Sequence, residues 1–246
     1  MKPSPLLTSA CLIASVAFTT AAVAAEKPTV DSVLAKYVKA VGGKAAHEKV
    51  TSRVIKVKLE SENFAGEGQI FAKAPNKQVA LLEIAGAGTI NEGFDGTVGW
   101  SKNPWEGLRV RSGDELAKVK RDADFHRDLK LKSIYPDLAF KGTEKVGEEE
   151  ACVLESKPSA SSKEKFWFSS KTGLLVRQDS EYEAPQGAIR LSLLPQDYKT
   201  IEGLKYPGKV KFEISVGGQD SEFTMSFVEV QHNVKIDEAK FAKPSE

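Results

Sequence analysis

The chain has 246 residues, with 35 lysines and arginines against 34 aspartates and glutamates, a balance that supplies no global field for nucleic acid or an anionic bilayer. Its histidines, His47, His126 and His232, sit in no HExxH, HxH or comparable spacing, so no metal signature is present. Nor is there a GxSxG, P-loop or GxGxxG motif.

The first 25 residues read as a cleaved secretory signal. Lys2 supplies the positive start, the run from Leu6 to Val23 is apolar and small, and Ala22-Val23-Ala24 is a small-x-small cleavage pattern followed by Glu26-Lys27-Pro28. Cys11 lies too early in that run to be a lipoprotein acceptor, because the apolar segment continues after it. Cleavage leaves Cys152 as a lone thiol, so the fold depends on its core in an oxidising compartment. Residues 26–246, about 220 in number, suit one sheet-rich domain.

Thr29 can cap a helix whose Val30, Val33, Leu34, Tyr37, Val38 and Val41 recur at three- and four-residue spacing and which stops at Gly42-Gly43. A shorter helical piece spans Lys44 to Val50. From Ser52 the period changes to two, with Ile55, Val57 and Leu59 alternating with Lys56, Lys58 and Glu60. Further strands are expected at Gly68–Ala74, Gln78–Ile84, Gly88–Phe94, Val98–Lys102 and Leu108–Arg111, with Asp95-Gly96 as a tight turn.

Ser112-Gly113-Asp114-Glu115 has the form of a capping box, and Leu116, Val119, Ala123, Phe125 and Leu129 predict one helical segment reaching about Leu131. His126 falls on what reads as its solvated face. Strands then resume at Phe140–Val146, Ala151–Ser156, Lys165–Phe168, Leu174–Ser180, Ala188–Leu194, Gly208–Val216 and Glu222–Gln231, with Lys171-Thr172-Gly173 as a turn. Cys152, in Ala151-Cys152-Val153-Leu154 and preceded by Glu148, Glu149 and Glu150, reads as a small packed side chain rather than a nucleophile.

A dozen antiparallel strands with two appreciable helices imply a strongly curved sheet or barrel whose helices cover what the sheet cannot bury. Trp100, Trp105, Trp167, Phe71, Phe223 and Phe227 read as core residues of that sheet. If the helices do not fill its concave side, the excess apolar lining becomes a hydrocarbon cavity.

The order of several segments resembles the LolA-like family of periplasmic lipoprotein-sorting and lipid-binding proteins. They are Tyr37-Val38-Lys39-Ala40-Val41-Gly42-Gly43, Ala74-Pro75-Asn76-Lys77, Gly93-Phe94-Asp95-Gly96-Thr97-Val98-Gly99-Trp100, Thr172-Gly173-Leu174-Leu175-Val176-Arg177 and Ile236-Asp237-Glu238-Ala239-Lys240-Phe241. The resemblance implies an α+β, mainly antiparallel fold: an unclosed curved β-barrel covered by an N-terminal and a mid-chain helix. It also implies noncovalent carriage of lipids or lipoprotein acyl chains in the periplasm, without a cofactor or an enzymatic activity, in exchange with inner- or outer-membrane envelope proteins. The lining candidates are Ile55, Val57, Leu59, Leu82, Ile84, Phe212, Ile214 and Met225, and the lid contacts Tyr37, Val38 and Val41. The family's interior arginine, which holds the lid, has no residue-by-residue counterpart here; Arg109 and Arg111 are merely nearby. Two other classes stand beside this reading. One is an envelope interaction or sensing module with a filled core, the other an envelope enzyme built on carboxylates that only the fold would bring together.

Overall fold

A computed structural model describes residues 27–245, so the expected signal peptide and Cys11 lie outside the described residues. The first helix, α1 (Val30–Ala40), begins where Thr29 and Ser32 cap one another, each side chain accepting the other's backbone N–H at 3.1 and 2.9 Å. It ends at Gly42, whose φ of 119° favours glycine and where a Cβ would collide with the carbonyl oxygen of Gly203. A single turn, α2 (Lys44–His47), leads into the sheet.

The strands of the first half are β1 (Ser52–Glu60), β2 (Ala65–Lys73), β3 (Lys77–Ile84), β4 (Gly88–Phe94), β5 (Gly99–Asn103) and β6 (Gly107–Val110). Two helices, α3 (Gly113–Asp122) and α4 (Arg127–Ile134), separate them from β7 (Ala139–Val146), β8 (Glu149–Ser159), β9 (Ser162–Ser169), β10 (Leu175–Ala184) and β11 (Gly187–Gln196). A small hairpin of β12 (Lys199–Ile201) and β13 (Leu204–Tyr206) precedes β14 (Lys209–Val216) and β15 (Gln219–His232), and a 3-10 turn spans Glu238–Phe241. Among the described residues, thirteen strands form one antiparallel sheet in the order β6-β5-β4-β3-β2-β1-β15-β14-β11-β10-β9-β8-β7. Its two halves are joined only where β1 pairs with β15, Leu59 lying opposite Met225.

The sheet is not closed: β6 and β7 are its edges, and the chain crosses between them through α3 and α4. Yet α3 packs against both β5 and β10. These strands are eight positions apart, roughly 38 Å across a flat sheet at about 4.8 Å per strand, whereas a ten-residue helix is only about 15 Å long. The sheet must therefore curl around α3, which makes the helix-covered face the concave one. At the rim the curl brings the β10–β11 turn to the β5–β6 turn, where Gln186 donates to Glu106 at 2.7 Å.

Alternation assigns the side chains to the two faces. Ile55, Val57 and Leu59 point inward to Phe125, in the α3–α4 link, whereas Val54, Phe71, Val79 and Trp100 point outward and are covered by Ile236 and Phe241 of the C-terminal segment. Trp100 donates its indole N–H to the Phe241 carbonyl at 3.2 Å. At the far end of the sheet α1 and α4 pack on the inward Cys152, Leu154, Phe166 and Phe168.

Several expectations are corrected. The mid-chain helix is two helices, because the Phe125 backbone N–H leaves the helical ladder to bond the Pro75 carbonyl at 3.0 Å, and the second runs on to Ile134. The capping box does not form: Ser112 makes no side-chain cap bond, and Glu115 turns inward to Arg109. His126 is not on a solvated face but half-buried at the start of α4, its ring edge-on to Phe125. Trp105 is no core residue; it is 68 % exposed in the β5–β6 turn, held there by Asn103 accepting its backbone N–H. The β12–β13 hairpin and the 3-10 turn were not expected, being too short to show a period.

Candidate functional site

The concave face changes character along its length. Around β1 it is filled: Ile55, Val57, Leu59 and Met225 are buried together with Phe125, Leu204 and Tyr206, and Leu82 and Phe212 pack partly buried against the same group. Six of the eight lining candidates thus come together. Ile84 is buried apart from them, lying over Gly66 of β2, which leaves room for it by having no side chain. Ile214 is half-buried between Leu191 of β11 and Ser221 of β15.

Beyond β1 the face is apolar but not filled. Ile189, Leu191 and Leu193 on β11 lie opposite Val216, Ile214 and Phe212 on β14, and Phe212 in turn lies opposite Phe223 on β15. All seven are only half-buried, although alternation turns them to the inside. Phe212 and Phe223 stack at 4.6 Å, and Phe64 from the β1–β2 loop leans on Phe223 at 5.9 Å. A sheet whose inward apolar side chains keep access to solvent has hydrocarbon-binding surface to spare.

The lid candidates lie at the other end. Tyr37 and Val41 are buried and Val38 partly so, and the Tyr37 ring lies tilted against Phe168 with ring centres 4.9 Å apart. The Tyr37 hydroxyl donates to Asp128 of α4 at 2.7 Å; burial, reinforced by that carboxylate, holds its pKa well above the usual tyrosine value. Lys132 and Asp31 add a second tie between α1 and α4 at 2.6 Å.

Between these regions α3 presents charge to the sheet. Glu115, 3 % exposed, receives both Arg109 nitrogens at 2.6 and 2.7 Å and Arg111 at 3.4 Å, while Arg111 also reaches Glu92 at 2.8 Å. One turn on, Lys118 pairs with Asp122 at 2.7 Å and lies 3.6 Å from Glu164 of β9. Glu164 is 1 % exposed and accepts from Ser180 at 2.6 Å and Gln178 at 3.1 Å. Burial would lower the pKa of Lys118, but the Asp122 and Glu164 carboxylates overcome it and raise it, so the ammonium stays charged. Arg127 lies 3.6 Å from Asp122 and over the Phe166 ring.

Arg109 and Arg111, for which sequence reading found no role, thus fasten α3 to the edge strand and the link that follows it. The one available signal was an acid four and six residues after two arginines. Glu164, Gln178 and Arg127 gave no signal, because their partners come from other elements.

A cavity of about 190 Å³ remains under α3, lined by Ala80, Phe94, Leu191 and Tyr182 and by Arg111 and Lys118 together with the carboxylates Glu92, Glu115 and Asp122. A recess of about 1210 Å³ lies between the β1–β2 loop and the β14–β15 hairpin; its lining is mainly charged and polar, Lys211, Glu213 and Glu222 among it, and Phe64, Ile214 and Phe223 reach it from the sheet's edge. Cys152 is buried as a free thiol, 3.7 Å from the Ser170 hydroxyl. Among the described residues no three histidines, cysteines or acids are placed to hold a metal, and no helix is long and apolar enough to cross a membrane.

No family model matches the chain, and no curated protein matches it in sequence. Solved structures do. A DUF1329 family protein from Desulfovibrio piger superposes with a TM-score of 0.53 over 87 % of this chain and 97 % of its own, at 14 % identity. A LolA superfamily protein from Nitrosomonas europaea gives 0.51 over 88 % and 99 %, also at 14 % identity. At such identity the likeness speaks for architecture alone: this chain has the LolA-like fold, an open, curved antiparallel sheet with helices on its concave side.

Proposed function

We propose that this protein is a periplasmic, noncovalent carrier or binder of lipids or lipoprotein acyl chains, held on the concave face of the open sheet. The observation that carries this reading is the row of half-buried inward apolar residues on β11, β14 and β15, from Ile189 and Val216 to Leu193, Phe212 and Phe223. Each methylene removed from water contributes about 0.8 kcal/mol, so one acyl chain along that row supplies ample affinity. Release then follows from moving α3 and α4, through which the chain crosses between the two edges of the sheet. In this reading the N-terminal 25 residues export the protein, and binding rather than catalysis is its work.

Native mass spectrometry of the mature protein from its own cell envelope, followed by lipid extraction, tests the reading. A stoichiometric acylated ligand supports it. An empty protein that also refuses added fluorescent fatty acid refutes it.

A second reading has one observation in its favour. The recess by the β14–β15 hairpin is lined mainly by charged and polar groups, which suits an envelope protein partner better than a hydrocarbon. A copurifying protein without lipid selects it.

A further inference from the structure

We propose that the start of β15, Gln219–Phe223, is a docking edge for another protein, taken by an extended peptide segment in which apolar residues alternate with lysine or arginine. This rests on the second reading above, that of an envelope partner; it gives that partner a mode of attachment and does not depend on carriage of lipid.

The two neighbours of β15 do not cover it equally. β14 pairs with it from Gln219 to Ser226, whereas the pairing with β1 begins only at Thr224, opposite Glu60, where β1 ends. The backbone of Gln219–Phe223 therefore has a strand on one side and none on the other. At about 3.4 Å per residue this open edge is roughly 17 Å long. It borders the recess of about 1210 Å³, whose lining includes Asp220, Ser221, Glu222 and Phe223 on one side and the β1–β2 loop on the other. A peptide strand laid there takes the place that a longer β1 would occupy, and its main chain bonds to groups that now have no strand beside them.

Alternation sorts the side chains that such a peptide meets. On the concave side are Phe223, with Phe64 of the loop 5.9 Å from it, and Ile214, which lies opposite Ser221. On the other side stand Asp220 and Glu222, both exposed, and Glu60 and Glu62 border the same recess. The basic groups that line it are already engaged: Lys211 by Glu213 and Glu222, Lys209 by Asp197 and Arg190 by Glu181. Among the described residues Glu60, Glu62 and Asp220 have no cationic partner, so a strand bearing lysine or arginine offsets an uncompensated negative charge.

The same acids disfavour a second copy of this chain as the occupant, because two β15 edges side by side would set the carboxylates of Asp220 and Glu222 against their counterparts. The outer edges of the sheet are guarded. β6 has only four residues, and β7 carries Lys141, Lys145 and a register shift between Phe140 and Gly142, devices that discourage strand addition. Gln219–Phe223 contains no lysine and pairs with β14 without a register shift.

The test uses the mature protein and a short, fluorescently labelled, end-blocked peptide of alternating lysine and valine. Fluorescence anisotropy should show binding, and amide hydrogen exchange at Gln219–Phe223 should slow when the peptide is present. The same peptide methylated at every backbone nitrogen keeps its charges and side chains but has no main-chain donors, and it should bind at least tenfold more weakly. A peptide of alternating glutamate and valine should be as weak. The double variant Asp220→Lys with Glu222→Lys should reverse the choice between the lysine and glutamate peptides, with circular dichroism to establish its fold; Asp220→Asn with Glu62→Gln, which should weaken the lysine peptide, replaces it if it does not fold. Absence of binding, equal binding of the methylated peptide, slowed exchange only elsewhere, or a charge preference untouched by the substitutions overturns the docking edge. A dimer of the free protein, with exchange already slow at Gln219–Phe223, overturns it in favour of a second copy. The partner reading itself stands or falls separately, by copurification, and carriage by lipid extraction.

Discussion

Arg109 at the edge strand and Glu115 in the first turn of α3 form a two-pronged ion pair, the two terminal guanidinium nitrogens reaching separate carboxylate oxygens at 2.6 and 2.7 Å. Removing the buried acid leaves Arg109 and Arg111 without their inner partner. Glu115→Ala should lower unfolding stability by about 3 kcal/mol, the low end for a broken buried pair because Arg109 is itself 24 % exposed. Urea denaturation reads this directly. The double variant Arg109→Met with Glu115→Leu should recover most of the loss.

Ile214 and Val57 face the same concavity but differ in what surrounds them. Ile214→Glu should keep the fold and abolish fluorescent fatty-acid uptake, since its site is half open. Val57→Glu should fail to fold, because it places a carboxylate in the filled core. Circular dichroism alongside the uptake assay separates the two, and a folded Ile214→Glu protein that still takes up fatty acid removes Ile214 from the lining.

Phe241 is fully buried in the outer cluster of Val54, Phe71, Val79 and Trp100. Phe241→Ala should cost about 3–5 kcal/mol through the cavity it leaves. Because this cluster lies on the convex face, ligand affinity per folded molecule should not change, which calorimetry of unfolding and a binding titration together can establish.

Burial lowers the pKa of the His47 imidazole below its ordinary 6.5, against the opposing pull of Asp128. The native state therefore prefers the neutral ring, and the unfolded chain binds the extra proton first as pH falls. Stability contributed by His47 is fully present above about pH 6.5 and is lost as pH drops through that value toward the lower native pKa. The difference in stability between the wild type and His47→Gln should shrink from pH 7.5 to pH 5; a constant difference contradicts this.

Local patterning made much of the architecture legible. The cap at Thr29, the stop at Gly42-Gly43 and the bounds of β4 follow from residues adjacent in sequence, as does the alternation in β1 and β14. What stayed hidden depends on distant partners. The apolar period through Ala123, Phe125 and Leu129 suggests one helix because Phe125 does reach the core, but it does so from a break that only the Pro75 carbonyl explains. Glu164 lies just before the stretch that reads as strand, and nothing nearby marks it as the buried partner of Lys118. The six gathered lining candidates were visible through alternation, whereas the openness of Ile214 and its neighbours depends on how far the helices reach across the sheet.

The pairing of β1 with β15 has a consequence for how the chain is assembled. Arg53 and His232, neighbours in that ladder, are separated by most of the chain, and loop-closure entropy makes so distant a pairing slow to form. Since synthesis proceeds from the N-terminus, β1 waits with one bare edge until the last long strand has emerged. A chain stopped before Gln219 keeps two half-sheets, each with an open flank able to recruit a strand from another molecule. Premature termination near the C-terminus should therefore produce aggregates rather than a shortened but working protein.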